Sequence, residues 1–415
     1  MRLATALKYY HELDVNLDDI GRRLVEEGIY GVDALRYASQ ITAINLALMT
    51  PGNITRENVY TIYLGYIPKR NQAWLGSLEL LNDSRRVGGL LAYIEGGLRG
   101  IAERTTLEGS EGEFSIPDRF DLTIMNPPFT RATGRTERFR ERRGLFGFIT
   151  DESVRQELLR AYENVRNRVR ESLRSIATEN MLIFPNHIQE IVRGTGGLEA
   201  YLNIGQAGEG LLFLYLAYKL VRDSGVIAFV LPRGLLAGVS WFLARVLLAS
   251  KFHVKYIVVS SDPDRGYNFS EGTSLSETLV VAKRVDRHSD DEETVFINLL
   301  RKPTTALEAV MLAEEIRRGL SELTRGRWKR VEVSNCSAIV FKVYRGDLLA
   351  NVDNWNKFVA TVDERLWDFF QLPSNNRVKV GGRYVGIPLV RLRELISSMG
   401  IDAHEFHDNF DVVST

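Results

Sequence analysis

The chain holds one cysteine, Cys336, in 415 residues. A single thiol excludes an internal disulfide and any cysteine-built zinc site. It fits the reducing cytoplasm in which we expect the protein to work. An excess of charge is also missing. Lys plus Arg number 53 and Asp plus Glu number 53, for a formal net charge of zero. No global field draws this chain onto a polyanion, so a nucleic-acid site must come from local segregation of charge. No apolar run reaches the roughly 20 residues of a membrane span. The start, MRLATALKYYHELD, lacks the apolar core and small-residue cleavage site of a signal peptide. There is no internal repeat and no low-complexity tract.

What remains is the composition of an ordinary globular protein, 45% hydrophobic and 26% charged, with material for a large core and two or three domains. Arg outnumbers Lys. Arg suits bidentate phosphate and base contacts, and it equally suits surface ion pairs.

Hydrophobic periodicity predicts helices at the start (Leu3, Leu7, Tyr10) and over roughly 17–27, with Gly28 as a C-cap. Ile29-Tyr30-Gly31-Val32 reads as a buried strand ending at Asp33, and a helix follows until Pro51. Residues 73–81 read as a strand and turn. Phe120–Met125 is a clear strand that runs into Asn126-Pro127-Pro128-Phe129. Residues 130–180 are polar and helical in pattern. Then come a helix at Leu211–Val221, a turn at Asp223-Ser224-Gly225, and a strand at Val226–Leu231 closed by Pro232. A helix near 240–250, a strand at Val254–Ser260 and a last strand at Leu275–Lys283 complete the alternation. This order predicts a parallel, doubly wound α/β sheet, with the last two strands as an antiparallel pair at one edge. Beyond about 300 the βα regularity stops.

Asn126-Pro127-Pro128-Phe129 carries the chemistry. An exocyclic base amine is a poor nucleophile, because its lone pair is delocalised into the ring. Two acceptors on its N–H groups free that lone pair, and an Asn side-chain oxygen and a backbone carbonyl are suitable acceptors. Consecutive prolines stiffen the loop and have no N–H of their own, which leaves the Pro127 carbonyl for the site. Phe129 offers a flat face for an extruded base. The plainer reading is a rigid turn with Phe129 in the core. Placement at a strand end, where open α/β sheets hold their ligands, favours the site.

FDLTIMNPPF resembles the catalytic motif of the gamma-type adenine-N6 DNA methyltransferases, which include the modification subunits of type I restriction systems and type IIG-like enzymes. The resemblance spans about residues 28–284. It implies a Rossmann-like class I methyltransferase sheet, S-adenosylmethionine as cofactor, and double-stranded DNA as partner, without a metal. IYGVDALRYASQITAINLAL is similar to the family's acidic-strand motif. By that match Asp33 hydrogen-bonds the cofactor's ribose; the alternative is an N-cap of the next helix. GEGLLFLYLAYKLVRDSGVIAFVLPRGLL resembles the segment after the catalytic loop. YNFSEGTSLSETLVVAKR resembles the loop before the last strand pair, which makes Phe269 either the second face of an aromatic clamp or a core residue.

The chain departs from the family at two places. No glycine-rich cofactor loop follows a strand ahead of the first helix. Neither Gly88-Gly89 nor Gly194-Thr195-Gly196-Gly197 has a preceding apolar strand. The fold is therefore expected to lack its first strand. A truncated reading frame is the simpler explanation, and a split enzyme whose partner supplies the strand is the other. Second, the family's cofactor-adenine acid is replaced: Ser77 takes its place, with Glu79 as a substitute or facing solvent.

Arg131, Arg135 and Arg138, with Arg140, Arg142 and Arg143, are read as a phosphate clamp or as a solvated insertion. The expected domains are a partial methyltransferase domain at 1–299, with a helical insertion about 130–210, and a C-terminal region at 300–415. In that region Ile387–Leu392 and Gly400–Asp402 resemble the opening of a target-recognition domain. His404 and His407 are taken as surface polar residues. The leading function is site-specific DNA adenine-N6 methylation in a restriction-modification system, with a specificity subunit as a further partner. The alternatives are a non-catalytic DNA-binding remnant or split subunit, and an N-methyltransferase acting on RNA or on protein glutamine.

Overall fold

The computed structural model describes residues 16–50, 54–67, 72–81, 102–106, 109–110, 116–128, 149, 151–195, 197–270, 273, 275–323, 328–359, 377–380 and 383–386. Asn16 caps α1 (Leu17–Arg23), its side chain accepting from the N–H groups of Asp18 and Asp19. One π-helical turn, Leu24–Gly28, leads to β1 (Tyr30–Asp33) and then α2 (Arg36–Met49). β2 (Asn58–Ile62) lies parallel to β1, with Tyr30 opposite Asn58 and Asp33 opposite Thr61. β3 (Leu64–Ile67) and β4 (Gln72–Leu75) form a hairpin, followed by a 3-10 turn at Gly76–Leu81. β5 (Ala102–Thr106) joins β2 and β6 (Gly109–Ser110) joins β5, giving a four-stranded sheet ordered β1-β2-β5-β6.

β7 (Phe120–Met125) opens a second sheet. After it comes α3 (Glu152–Glu179), started by Asp151, whose carboxylate accepts from Ser153 and Val154. Its buried stripe, Leu158, Tyr162, Val165, Val169, Leu173 and Ile176, follows the helical repeat. Each Leu, Val or Ile of this stripe contributes about 1.5–3 kcal/mol when fully buried. α4 (Asn186–Arg193) closes on Gly194 at φ 68°, so this glycine serves as a left-handed helix cap. α5 (Glu209–Leu220) feeds β8 (Val221–Pro232). The expected turn at 223–225 lies inside this longer strand. Ser224 has φ 63°, and the register jumps from Phe120–Val221 to Leu122–Val226.

α6 (Phe242–Lys251), β9 (Phe252–Ser260), β10 (Glu277–Arg284), β11 (Glu293–Arg301), α7 (Ala306–Gly319), β12 (Trp328–Val333), β13 (Cys336–Tyr344) and α8 (Arg345–Ala350) complete this unit. The seven-stranded order is β12-β13-β11-β9-β10-β8-β7. The α/β class is as expected, but the sheet is mixed and not parallel. β7 with β8 and β9 with β11 are parallel; the other four pairings are antiparallel. β9 and β10 do pair antiparallel. They are not at an edge, however, because β10 lies between β8 and β9 and the sheet continues through β11, β13 and β12.

β11 runs through residues 299 and 300, and the chain forms two compact units, Met1–Val359 and Ala360–Thr415. The unit from Ala360 to Thr415 contains the hairpin of β14 (Arg377–Val380) and β15 (Arg383–Gly386). Among the described residues, no helix is long and apolar enough to cross a membrane.

Among the described residues the two sheets of the larger unit share no strand pairing, and β1 and β7 each end their sheet. Side chains join them. Ile62, Trp74, Leu80, Leu216 and Leu220 form one buried cluster, with Val32, Phe120 and Met125 packed against it.

Candidate functional site

From Leu122–Val226 to Met125–Phe229 β7 keeps one register against β8, and Asn126-Pro127-Pro128 then lies beyond the paired strand. A residue before proline is pushed toward extended backbone, so Asn126 and Pro127 carry the strand direction onward. Pro127 is buried, while Asn126 and Pro128 are exposed.

A cavity of about 640 Å³ lies between the ends of β1 and β7. Asp33, Gly76, Ser77, Asn126, Pro127 and Pro128 line it, together with Phe213, Leu216 and Leu220 of α5. This is the size of a small-molecule site. Thr123 also lines it; its Oγ1 is buried and has no hydrogen-bond partner among the described residues.

Asp33 Oδ1 accepts the Leu35 N–H at 2.7 Å, which fixes the turn from β1 into α2. Asp33 is not the N-cap of α2, a position held by Leu35 with no side-chain cap, and Asp33 also lines the cavity. Gly76 has φ +61°, and a Cβ there would stand 3.3 Å from the Ala34 Cβ. The left-handed conformation favours glycine here, and a side chain would also crowd Ala34. This glycine sets Ser77 in the wall near the Asp33 turn. Glu79 does not line the cavity and does not face solvent. It is 5% exposed, and its Oε1 accepts the Leu75 N–H at 2.9 Å, bracing the turn that carries Ser77.

Beside Asn126, outside the cavity lining, runs the segment 261–270. Ser270 Oγ lies 3.2 Å from Asn126 Nδ2 and 3.3 Å from Asn126 Oδ1. Glu277 Oε2 accepts the N–H groups of Phe269 at 2.5 Å and Ser270 at 2.8 Å. At its start the loop is pinned by Asp262, whose carboxylate accepts from the backbone of Asp264, Arg265 and Lys302. Phe269 packs against the cluster built on β11, β13 and α7, and it does not line the cavity. Sequence reading quoted this loop but singled out neither Ser270 nor Glu277, because small polar side chains carry no periodic signal. Gly76 was missed for a similar reason: one glycine at a strand end is common.

Phe129, Arg131, Arg135, Arg138, Arg140, Arg142 and Arg143 lie outside the described residues, as do Ile387–Leu392, His404 and His407. Among the described residues no group of His, Cys, Asp and Glu is arranged to hold a metal ion.

No protein-family model matches the chain, and no curated protein matches it. Among solved structures, the chain is similar to the type IIG restriction endonuclease BpuSI, at 23% identity and a TM-score of 0.27, over 40% of this chain and 18% of that one. It is similar to a nuclease-deletion mutant of the Type ISP restriction-modification enzyme LlaGI, solved with a DNA substrate mimic, at 15% identity and a TM-score of 0.36, over 72% and 20%. It is also similar to the M protein of the Type I restriction enzyme EcoKI, at 12% identity and a TM-score of 0.39, over 88% and 60%. The chain thus spans between 18% and 60% of the length of these three restriction-modification proteins.

Proposed function

We propose that this chain forms the catalytic part of an S-adenosylmethionine-dependent DNA methyltransferase that modifies adenine at N6. The observation that carries the reading is Asn126-Pro127-Pro128 at the end of β7, lining one cavity with Asp33 at the end of β1. The residues present fit the nucleoside end of the cofactor. Asp33 offers a carboxylate at a strand end, Gly76 lets backbone approach closely, and Ser77 supplies a hydroxyl beside them. When bound, the cofactor supplies a sulfonium methyl group, so the chain needs no metal.

The chain's own residues present the amine. The Asn126 side-chain oxygen accepts one N–H of the extruded base, and the Pro127 carbonyl accepts the other. Phe129 stacks on the ring, and Arg131, Arg135 and Arg138 hold the flanking phosphates. Double-stranded DNA is the substrate partner. Among the described residues β1 and β7 each end a sheet on either side of the cavity, an arrangement that suits an extended segment of a second chain.

The test is methyl transfer from labelled S-adenosylmethionine to duplex DNA, with digestion and mass spectrometry of the product. N6-methyladenine is expected, and Asn126→Ala is expected to abolish it without loss of DNA binding. Methylguanine in RNA, or methylglutamine in a protein, would assign the same loop to another planar amine.

A further inference from the structure

Asn126 and Ser270 stand 144 positions apart and meet through their side chains at one edge of the cavity. The Ser270 hydroxyl is within reach of both ends of the Asn126 carboxamide. A hydroxyl donates and accepts, so it can satisfy either end. For a carboxamide that must recognise an amine the two ends differ. Only the oxygen accepts an N–H; an NH2 turned the same way would face the amine hydrogens with its own.

The loop that carries Ser270 is held from several sides. Glu277 is fully buried at the start of β10, and its Oε2 accepts the N–H groups of Phe269 and Ser270. Asn268 Nδ2 donates to the Ser270 carbonyl at 2.6 Å, and Lys302 Nζ donates to the Asn268 carbonyl at 2.5 Å. The ring of Phe269 is packed into the neighbouring core. The backbone of Ser270 is therefore fixed at both its N–H and its C=O, and its hydroxyl is the group presented to Asn126.

The geometry points to Ser270 as a positioning residue for Asn126. Its hydroxyl accepts from Asn126 Nδ2, and this leaves Asn126 Oδ1 as the end that meets the substrate amine. Glu277 holds Ser270 at the right place by anchoring the loop. The catalytic consequence rests on the methyl-transfer reading; the hydrogen bond does not.

Ser270→Thr keeps the hydroxyl, and Ser270→Val removes it from a side chain of nearly the same shape. In the full chain labelled with 15N-asparagine, the Asn126 side-chain NH2 signals are those that vanish in Asn126→Ala. One of its protons is expected to exchange slowly with solvent in the wild type and in Ser270→Thr. In Ser270→Val it is expected to exchange about tenfold faster, the order expected for one lost neutral hydrogen bond. Equal exchange in the Thr and Val variants overturns the proposal.

In methyl transfer to DNA, Ser270→Val is expected to lower kcat about tenfold with both KM values nearly unchanged, and Ser270→Thr to stay close to wild type. Wild-type kcat in Ser270→Val, with Asn126→Ala inactive, overturns the positioning role and leaves the methyl-transfer reading standing. Wild-type activity in Asn126→Ala overturns that reading, and the exchange experiment still decides the hydrogen bond.

Discussion

The ring of Tyr30 meets the ring of Phe120 edge-on, with centroids 5.7 Å apart and planes at 65°, although the strands that carry them share no hydrogen bond. The two sheets are thus joined here by side chains. An aromatic pair of this geometry contributes about 0.5–1.5 kcal/mol beyond the area it buries. A double-mutant cycle with Tyr30→Leu and Phe120→Leu, read by urea denaturation, is expected to give a coupling in that range. Additivity within about 0.3 kcal/mol would mean that the contact does not help hold the sheets together.

Asp33 can lose its charge without losing its turn. In Asp33→Asn the side-chain oxygen still accepts the Leu35 N–H, so thermal stability is expected to stay near wild type. Affinity for S-adenosylmethionine is expected to fall roughly 10- to 100-fold, the equivalent of one charge-assisted hydrogen bond of about 1.5–3 kcal/mol. Isothermal titration measures it. Equal affinity in both proteins removes Asp33 from the ribose role.

Arg245 is fully buried and donates to four backbone carbonyls, those of Val352, Leu235, Gly238 and Asp353, at 2.6–3.0 Å. Burial pushes its guanidinium down to about 10, which leaves it charged at neutral pH. Arg245→Met strands all four acceptors and is expected to cost roughly 3–5 kcal/mol. Arg245→Lys cannot reproduce the planar fork and is expected to recover less than half of that. A shift in urea midpoint worth under about 1 kcal/mol for the Met variant would contradict the tie between 235–238 and 352–353.

Asp262 predicts a pH dependence. Burial favours its neutral form, but the backbone N–H groups of Lys302, Arg265 and Asp264 outweigh this and hold its carboxyl below the ordinary carboxylate value. A depressed folded-state pKa stabilises the protein above the unfolded value, near 3.9, and that contribution is lost as pH falls through the lower folded value. The stability gap between wild type and Asp262→Asn should therefore be widest near neutral pH and narrow below about pH 4. Urea unfolding from pH 7 down to pH 3 tests this. A gap that does not change with pH assigns the effect to shape and not to charge.

Strand ends were the most legible part of the sequence. Tyr30–Asp33 and Phe120–Met125 are short apolar runs closed by a polar residue, and both became strands whose last residues line one cavity. The sheet beyond residue 300 was not legible. β13 is buried along nearly its whole length, so its sequence shows no alternation to mark it as a strand. Strand order was hidden for a different reason. The place of β10 between β8 and β9 is set by pairings far along the chain, which leave no mark in any local window. Phe269 shows the same limit at the site: an aromatic residue in a loop does not declare whether its ring meets a ligand or the core.

The insertion of β10 has a consequence for how the protein is made. Synthesis runs from the N-terminus at about 5–20 residues per second. When β9 emerges, neither of the strands that will flank it in the sheet, β10 and β11, has yet been made, and β8 has only β7 beside it. The middle of the sheet closes only once Arg284 is free of the ribosome, so the order of assembly differs from the order of translation. Asn126 then waits through 144 further residues for Ser270, and a chain halted before β10 would display the Asn-Pro-Pro loop without the anchored hydroxyl that faces it. Pairing of β10 between β8 and β9 and the meeting of Ser270 with Asn126 are thus linked through Glu277.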